Sequence, residues 1–338
     1  MAIKYSVKRC SHVAAMLLAV SFSATAQAED NSWKNAFAPL PENAATAEYP
    51  LTPERVALGK KLYSDTRLSI NNKLSCNSCH KLSTFGVDNE PTSPGHEGKR
   101  GGRNSPSSFN AALHVAQFWD GRAKDVEAQA LGPVLNPVEM GMPSEAEVVK
   151  RLKADPKTVA AFQAAFPGEA DPLTYPNVGK AIGAFERTLI TPSRFDAFLK
   201  SDEKALTPAE KAGGKLFVQT GCTACHMGAT MGGQMYQKLG LVKDYPTTDM
   251  GRFEVTKNEA DKKFFKVPSL RNVAKTGPYF HDGSVKTLEE AVSKMGEYQL
   301  GKQLSKEEVA SIVTFLGSLT GTPPQVGAVR GTAPEALQ

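Results

Sequence analysis

The 338-residue chain is 41% hydrophobic and 22% charged with a formal net charge of +5, a globular composition with room for two domains. Residues 1–28 hold three of the 40 basic residues and none of the 35 acidic ones, so the remainder carries only +2. That near-neutral balance excludes a nucleic-acid binder working through a basic surface.

At the N-terminus, Lys4, Lys8 and Arg9 precede the apolar run 13–22 and the triplet Ala26-Gln27-Ala28. This is the pattern of a secretory signal peptide over residues 1–28, and the apolar run is too short to span a bilayer as a helix. Cys10 lies inside it, leaving Cys76, Cys79, Cys222 and Cys225 for the folded protein.

Residues 52–63, opening Thr-Pro-x-Arg, predict a helix with threonine as cap and proline at its first position. "CNSCH" (76–80) follows, and "CTACH" (222–226) matches it in the second half. In C-x-x-C-H the two thiols bond a haem covalently and the adjacent histidine ligates its iron. A four-cysteine zinc site would not need a histidine twice at the same offset. Redox dithiols would call for a thioredoxin-like βαβ pattern. The reading is two covalent haem c groups, with His80 and His226 as proximal ligands.

"SPGHEGKRGG" (93–102) puts His96 among glycines, prolines and charges. On the residues alone it is either a solvated loop histidine or a ligand on a segment able to detach, with Gly95, Gly98, Gly101 and Gly102 as hinges. Residues 104–130 then match 266–292 without a gap at an offset of 162 residues, sharing P-S-x-x-N and a D-G turn. Together with the glycine-lysine-leucine-aromatic helices before each haem motif, this reads as an internal duplication. The fold class expected is mainly α, two tandem cytochrome c-like domains. Glu139, in the turn-prone "NPVEMGM" (136–142), is by itself most simply an exposed glutamate; above an open iron it could shuttle a proton.

Helix patterns continue at 144–153 and 178–190, and after Pro192 and Pro208 the second unit opens with a helix over 207–217. Met295 in "KMGEYQLG" (294–301) is a candidate sixth ligand for the second haem, with Met227, Met231, Met235 and Met250 competing and a core role as the plainer reading. The first half has Pro133 at the matching position. A Ser-capped amphipathic helix is predicted over 305–319.

The haem motifs, "RNSPSSFN", "QFWDGR", "VEMG", "PYFHDGS" and "MGEYQLG" together resemble the bacterial dihaem cytochrome c peroxidases, over residues 50–320. The resemblance implies a peroxidatic domain over 29–190 and an electron-transfer domain over 191–338. It implies hydrogen peroxide as substrate, a small cytochrome c or cupredoxin as donor, a periplasmic location and a homodimer. It implies His96 as a detachable ligand of the first iron, Met295 as the ligand of the second, and activation by reduction of the second haem. Glu139 would be the acid–base residue, Gln129 a distal glutamine and Trp119 an aromatic between the haems. Asn104, Thr276 and Pro278 would hold a calcium ion through oxygen atoms. Two rivals stand beside it: a non-enzymatic dihaem electron carrier, and a relative of the enzymes that mature the cofactor of methylamine dehydrogenase. The latter carry a distal tyrosine, and here Tyr298 lies three residues beyond Met295.

Overall fold

Helix caps written into the sequence determine where the chain begins to coil. In the computed structural model, which describes residues 1–3 and 31–324, Thr52 accepts a hydrogen bond from the Arg55 amide and starts α1 (Pro53–Tyr63). The order continues with α2 (Cys76–Cys79), α3 (Val126–Leu135), α4 (Glu145–Lys153), α5 (Pro156–Ala165), α6 (Tyr175–Glu186) and α7 (Arg194–Leu199). Then come α8 (Pro208–Thr220), β1 (Tyr236–Lys238), α9 (Phe253–Thr256), β2 (Phe264–Lys266), α10 (Leu288–Leu300) and α11 (Lys306–Gly317). Reciprocal boxes, Thr207 with Glu210 and Ser305 with Glu308, cap α8 and α11. The expected signal peptide falls almost wholly outside the described residues, and contacts divide the chain into Met1–Ser32 and the unit from Trp33 onward, described below.

Two apolar cores organise that unit. The first gathers α1, α3, α4, α5 and α6 around Tyr63, Leu62, Phe162, Ile182 and Leu189. The second joins α7, α8 and α11 around Phe195, Phe198, Phe217 and Phe315. Each rests on a close helix crossing that only glycine permits. A Cβ on Gly59 of α1 would fall 1.8 Å from the Ala181 carbonyl oxygen of α6, and one on Gly213 of α8 would fall 2.1 Å from the Ser311 carbonyl oxygen of α11. Trp33 and Phe37 depart from chain order by packing in the second core, with Trp33 against Phe198 and Phe315.

Backbone geometry repeats at the 162-residue offset seen in the sequence. Asn110 and Asn272 both take φ near +60° (61° and 62°) and open the short 3-10 helices Ala111–Leu113 and Val273–Lys275. Bridges pair Gln117 with Ala123 and Tyr279 with Val285. The amide nitrogens of both asparagines donate to one hydroxyl, Thr191 Oγ1, at 2.8 and 2.9 Å. Because this threonine is fully buried, it ties the two repeats together at a single dry point. The fold is mostly helical, as expected; the unanticipated part is the antiparallel ladder of β1 on β2, register Tyr236 to Lys266.

Candidate active site

Each haem motif sits at the end of a helical turn that fixes its histidine. Ser75 and Ser78 cap α2, and the His80 amide donates to the Cys76 carbonyl at 2.9 Å. The half-buried His80 ring places Nδ1 at 2.9 Å from the Pro106 carbonyl oxygen. His226 does the same with the Met231 carbonyl at 3.0 Å. A carbonyl on Nδ1 selects the tautomer with a proton there and leaves Nε2 as a lone-pair donor, the arrangement of a metal-ligating histidine. Burial pushes both imidazoles below their ordinary pKa, keeping them neutral and able to ligate. Among the described residues the four haem-motif cysteines form no disulfide, and desolvation raises Cys76 to about 12 and Cys222 to about 11.

Cys222, Cys225, His226 and Met295 line one 340 Å³ cavity, walled mainly by apolar side chains such as Phe217, Phe265, Leu288 and Leu316. Met295 projects there from α10, whereas Tyr298 lies outside that wall and packs edge-on to Tyr245 at 5.0 Å. Trp119 lines the same cavity, its indole donating to the Asn104 carbonyl at 2.9 Å. Asn104, Thr276 and Pro278 all line this cavity, with the Asn104 amide nitrogen donating to the Glu90 and Pro91 carbonyls at 3.0 and 3.2 Å. Among the described residues no group of three or more His, Cys, Asp or Glu side chains is placed to hold a metal.

The first half carries a second cavity, of 250 Å³, lined by Phe118, Arg122, Ala128, Gly132, Pro133, Asn136 and Glu139. Glu139 Oε1 accepts from Asn136 Nδ2 at 2.8 Å. Desolvation nevertheless raises its pKa above the ordinary carboxylate value, with Arg122 and Asn136 acting in the opposite direction. Gln129 stands on α3, half-buried, and is not among the residues lining this cavity. Phe118 lines both cavities.

His96 is seated on the Glu139 segment. Its amide donates to the Glu139 carbonyl at 2.8 Å, and its Nε2 lies 3.0 Å from the Pro137 carbonyl oxygen. Of the four expected hinge glycines, Gly98, Gly101 and Gly102 face open space. Gly95 does not: a Cβ there would fall 1.7 Å from the Val138 carbonyl oxygen. Gly95 therefore serves close docking.

Comparison with known proteins agrees with this geometry. A family model described as di-haem cytochrome c peroxidase matches residues 53–204, and one described as cytochrome c matches 210–320. The cytochrome c551 peroxidase of Pseudomonas aeruginosa is 48% identical over 297 residues, 86% of each chain. The chain belongs to the di-haem cytochrome c peroxidase family. A cytochrome c551 peroxidase from Nitrosomonas europaea is 46% identical, covering 84% of this chain and 82% of its own. Among solved structures, a MauG-like protein associated with microbial copper homeostasis superposes with a TM-score of 0.77 at 30% identity, covering 86% of this chain and 96% of its own. A family enzyme of this kind carries two haem c groups, and the free thiol pairs with their carbonyl-anchored histidines fit them. Sequence reasoning missed Phe118, Arg122 and Asn136; the aromatic and arginine stood inside the quoted "QFWDGR", but nothing in it marked which side chains face a cavity.

Proposed function

We propose that this dihaem peroxidase is a gated enzyme of the periplasm, reducing hydrogen peroxide to two waters with two electrons and two protons. Its electrons would come from a small cytochrome c or cupredoxin. The observation that carries the reading is Glu139, a desolvated carboxylate of raised pKa on the wall of an open cavity in the first half. Bound haem c supplies the redox equivalents and, at the first site, the iron that receives peroxide. His80 and His226 would hold the two irons, with Met295 a further ligand of the second. Glu139 takes a proton from one peroxide oxygen and returns it to the other, which turns the departing oxygen into water.

His96 is the gate in this reading. In this reading the seated loop, with His96 Nε2 3.0 Å from the Pro137 carbonyl oxygen, is taken as the released arrangement. In the fully oxidised enzyme His96 closes the first site, and reduction at the second half releases it. Calcium between the halves at Asn104, Thr276 and Pro278, Gln129 as a distal partner, Trp119 as an electron relay and a homodimer belong to the same proposal. So does the origin of the two repeats, 29–190 and 191–338, by duplication.

Peroxide consumption by the purified holoprotein, fully oxidised and after one-electron reduction with calcium present, tests it. Activity only after half-reduction is expected, and His96→Gly should remove that requirement. A His96→Gly protein that still needs prior reduction overturns the gate. No activity in either state leaves the electron carrier.

A further inference from the structure

Lys266 ends β2 with its side chain buried in the wall of the large cavity. Its ammonium lies 3.4 Å from Nδ1 of His114, and no carboxylate among the described residues pairs with it. Burial alone pulls the lysine down to about 8, the signature of a cation taken out of water without a counter-ion. His114 lines the same cavity. With Nδ1 accepting from the ammonium, the neutral ring must carry its proton on Nε2. That nitrogen is buried and has no hydrogen-bond partner. An orphaned N–H and an unpaired ammonium together face one cavity, and each is costly to leave unmet.

Both side chains are held in place. A Cβ on Gly233 would fall 2.4 Å from the His114 ring, so the imidazole packs where only a glycine leaves room. The Val115 amide donates to the Gly233 carbonyl at 2.8 Å, and the Lys266 amide donates to the Trp119 carbonyl at 2.8 Å. A cationic donor and a neutral one, one from each half, are fixed side by side at the wall of this cavity. The ligand chemistry they lack is an anionic acceptor, and haem c carries two carboxylates.

We propose that Lys266 and His114 bind a carboxylate of the haem c in the C-terminal cavity and hold that haem at high reduction potential. The inference rests on haem c occupying that cavity. Lys266 and His114 are positioning residues: they act on the haem periphery and touch no substrate. A positive charge in this low-dielectric wall favours the reduced haem, which has gained an electron.

The test is a spectroelectrochemical titration of each haem in the wild type, Lys266→Met and Lys266→Arg, with haem content counted by pyridine haemochrome. Lys266→Met should lower the reduction equilibrium of the C-terminal haem roughly tenfold, about 59 mV for one electron. Lys266→Arg should restore most of it, and the N-terminal haem should move far less. Two haems per chain with an unchanged C-terminal potential overturn the proposal. Fewer than two haems in the wild type would instead strike at the haem reading itself. Should Lys266→Met fail to mature, the propionate-bending frequencies of wild type and His114→Leu in resonance Raman decide. A shift supports the contact, and identical frequencies refute it.

Discussion

Replacing Gly95 by alanine tests whether the seat of His96 is the open state of the gate. A Cβ at this position would stand 1.7 Å from the Val138 carbonyl oxygen and 3.0 Å from that of Glu139, so the loop keeps its seat only by moving backbone. Overpacking against a well-packed neighbour costs about 1–3 kcal/mol, which lowers the seated-to-detached equilibrium constant roughly 5- to 150-fold. If the seated loop is the released state, Gly95→Ala keeps His96 on the iron. Peroxide turnover by the half-reduced enzyme should then fall by up to that factor, with slower onset in stopped-flow mixing. His96→Gly should act in the opposite sense and turn over peroxide while fully oxidised. Gly101→Ala is the control, since nothing lies within 4 Å of its added methyl. Wild-type turnover by half-reduced Gly95→Ala, with both haems attached, would refute the reasoning.

Glu139→Gln should lower kcat/KM by about 10²–10⁴-fold, the range for losing a positioned acid–base group. Asn136→Asp keeps an oxygen for the Val138 amide but puts a like charge where the donor to the Glu139 carboxylate stood. The Glu139 pKa then rises, and the acidic limb of the kcat/KM profile should move up by about one to two pH units, from a charged hydrogen bond of about 1.5–3 kcal/mol. An unmoved limb would separate Glu139 from the proton transfer. Met295→Leu should abolish the methionine-to-iron charge-transfer band and lower the C-terminal potential, while Tyr298→Phe leaves both intact; the reverse result would favour the cofactor-maturation chemistry. Glu127 pairs with Arg187 through bonds of 2.7 and 2.9 Å, both side chains buried. Glu127→Ala should cost about 3–5 kcal/mol in denaturant unfolding, and Glu127→Leu combined with Arg187→Met should recover most of it.

How far the sequence could be read follows from how local each signal is. Caps are local, so α1, α8 and α11 were predicted to within a few residues by Thr-Pro and Ser-x-x-Glu patterns. The 162-residue offset was legible because glycine and asparagine at positive φ are hard to replace: Gly121 and Gly283, with Asn110 and Asn272, repeat in both sequence and backbone. The ladder of β1 on β2 went unseen because three residues per strand are too few to alternate. The seat of His96 was illegible for another reason: its partners are the carbonyls of Pro137 and Glu139, and a carbonyl leaves no trace in residue identity. Lys266 and His114 lie 152 residues apart, so no local pattern in the sequence joins them.

A gate worked from the second half needs one element that both halves can bias. The loop 93–102 meets that requirement at its two ends. On one side, His96 and Gly95 sit on the carbonyls beside Glu139. On the other, Arg103 is locked to Asp249 at 2.7 and 2.8 Å and to Asp120 at 2.5 Å, and the Asn104 amide donates to the His281 carbonyl at 2.7 Å. Asn104 and His281 line the cavity of the second haem motif. Between the two anchors lie Gly98, Gly101 and Gly102, each facing open space, so that stretch can change shape without repacking a core. In the proposed gate, a change at the second cavity would reach the first through the six residues from Glu97 to Gly102, between those anchors, rather than through either apolar core. Stiffening that stretch should slow the gate while leaving the stability of both cores unchanged.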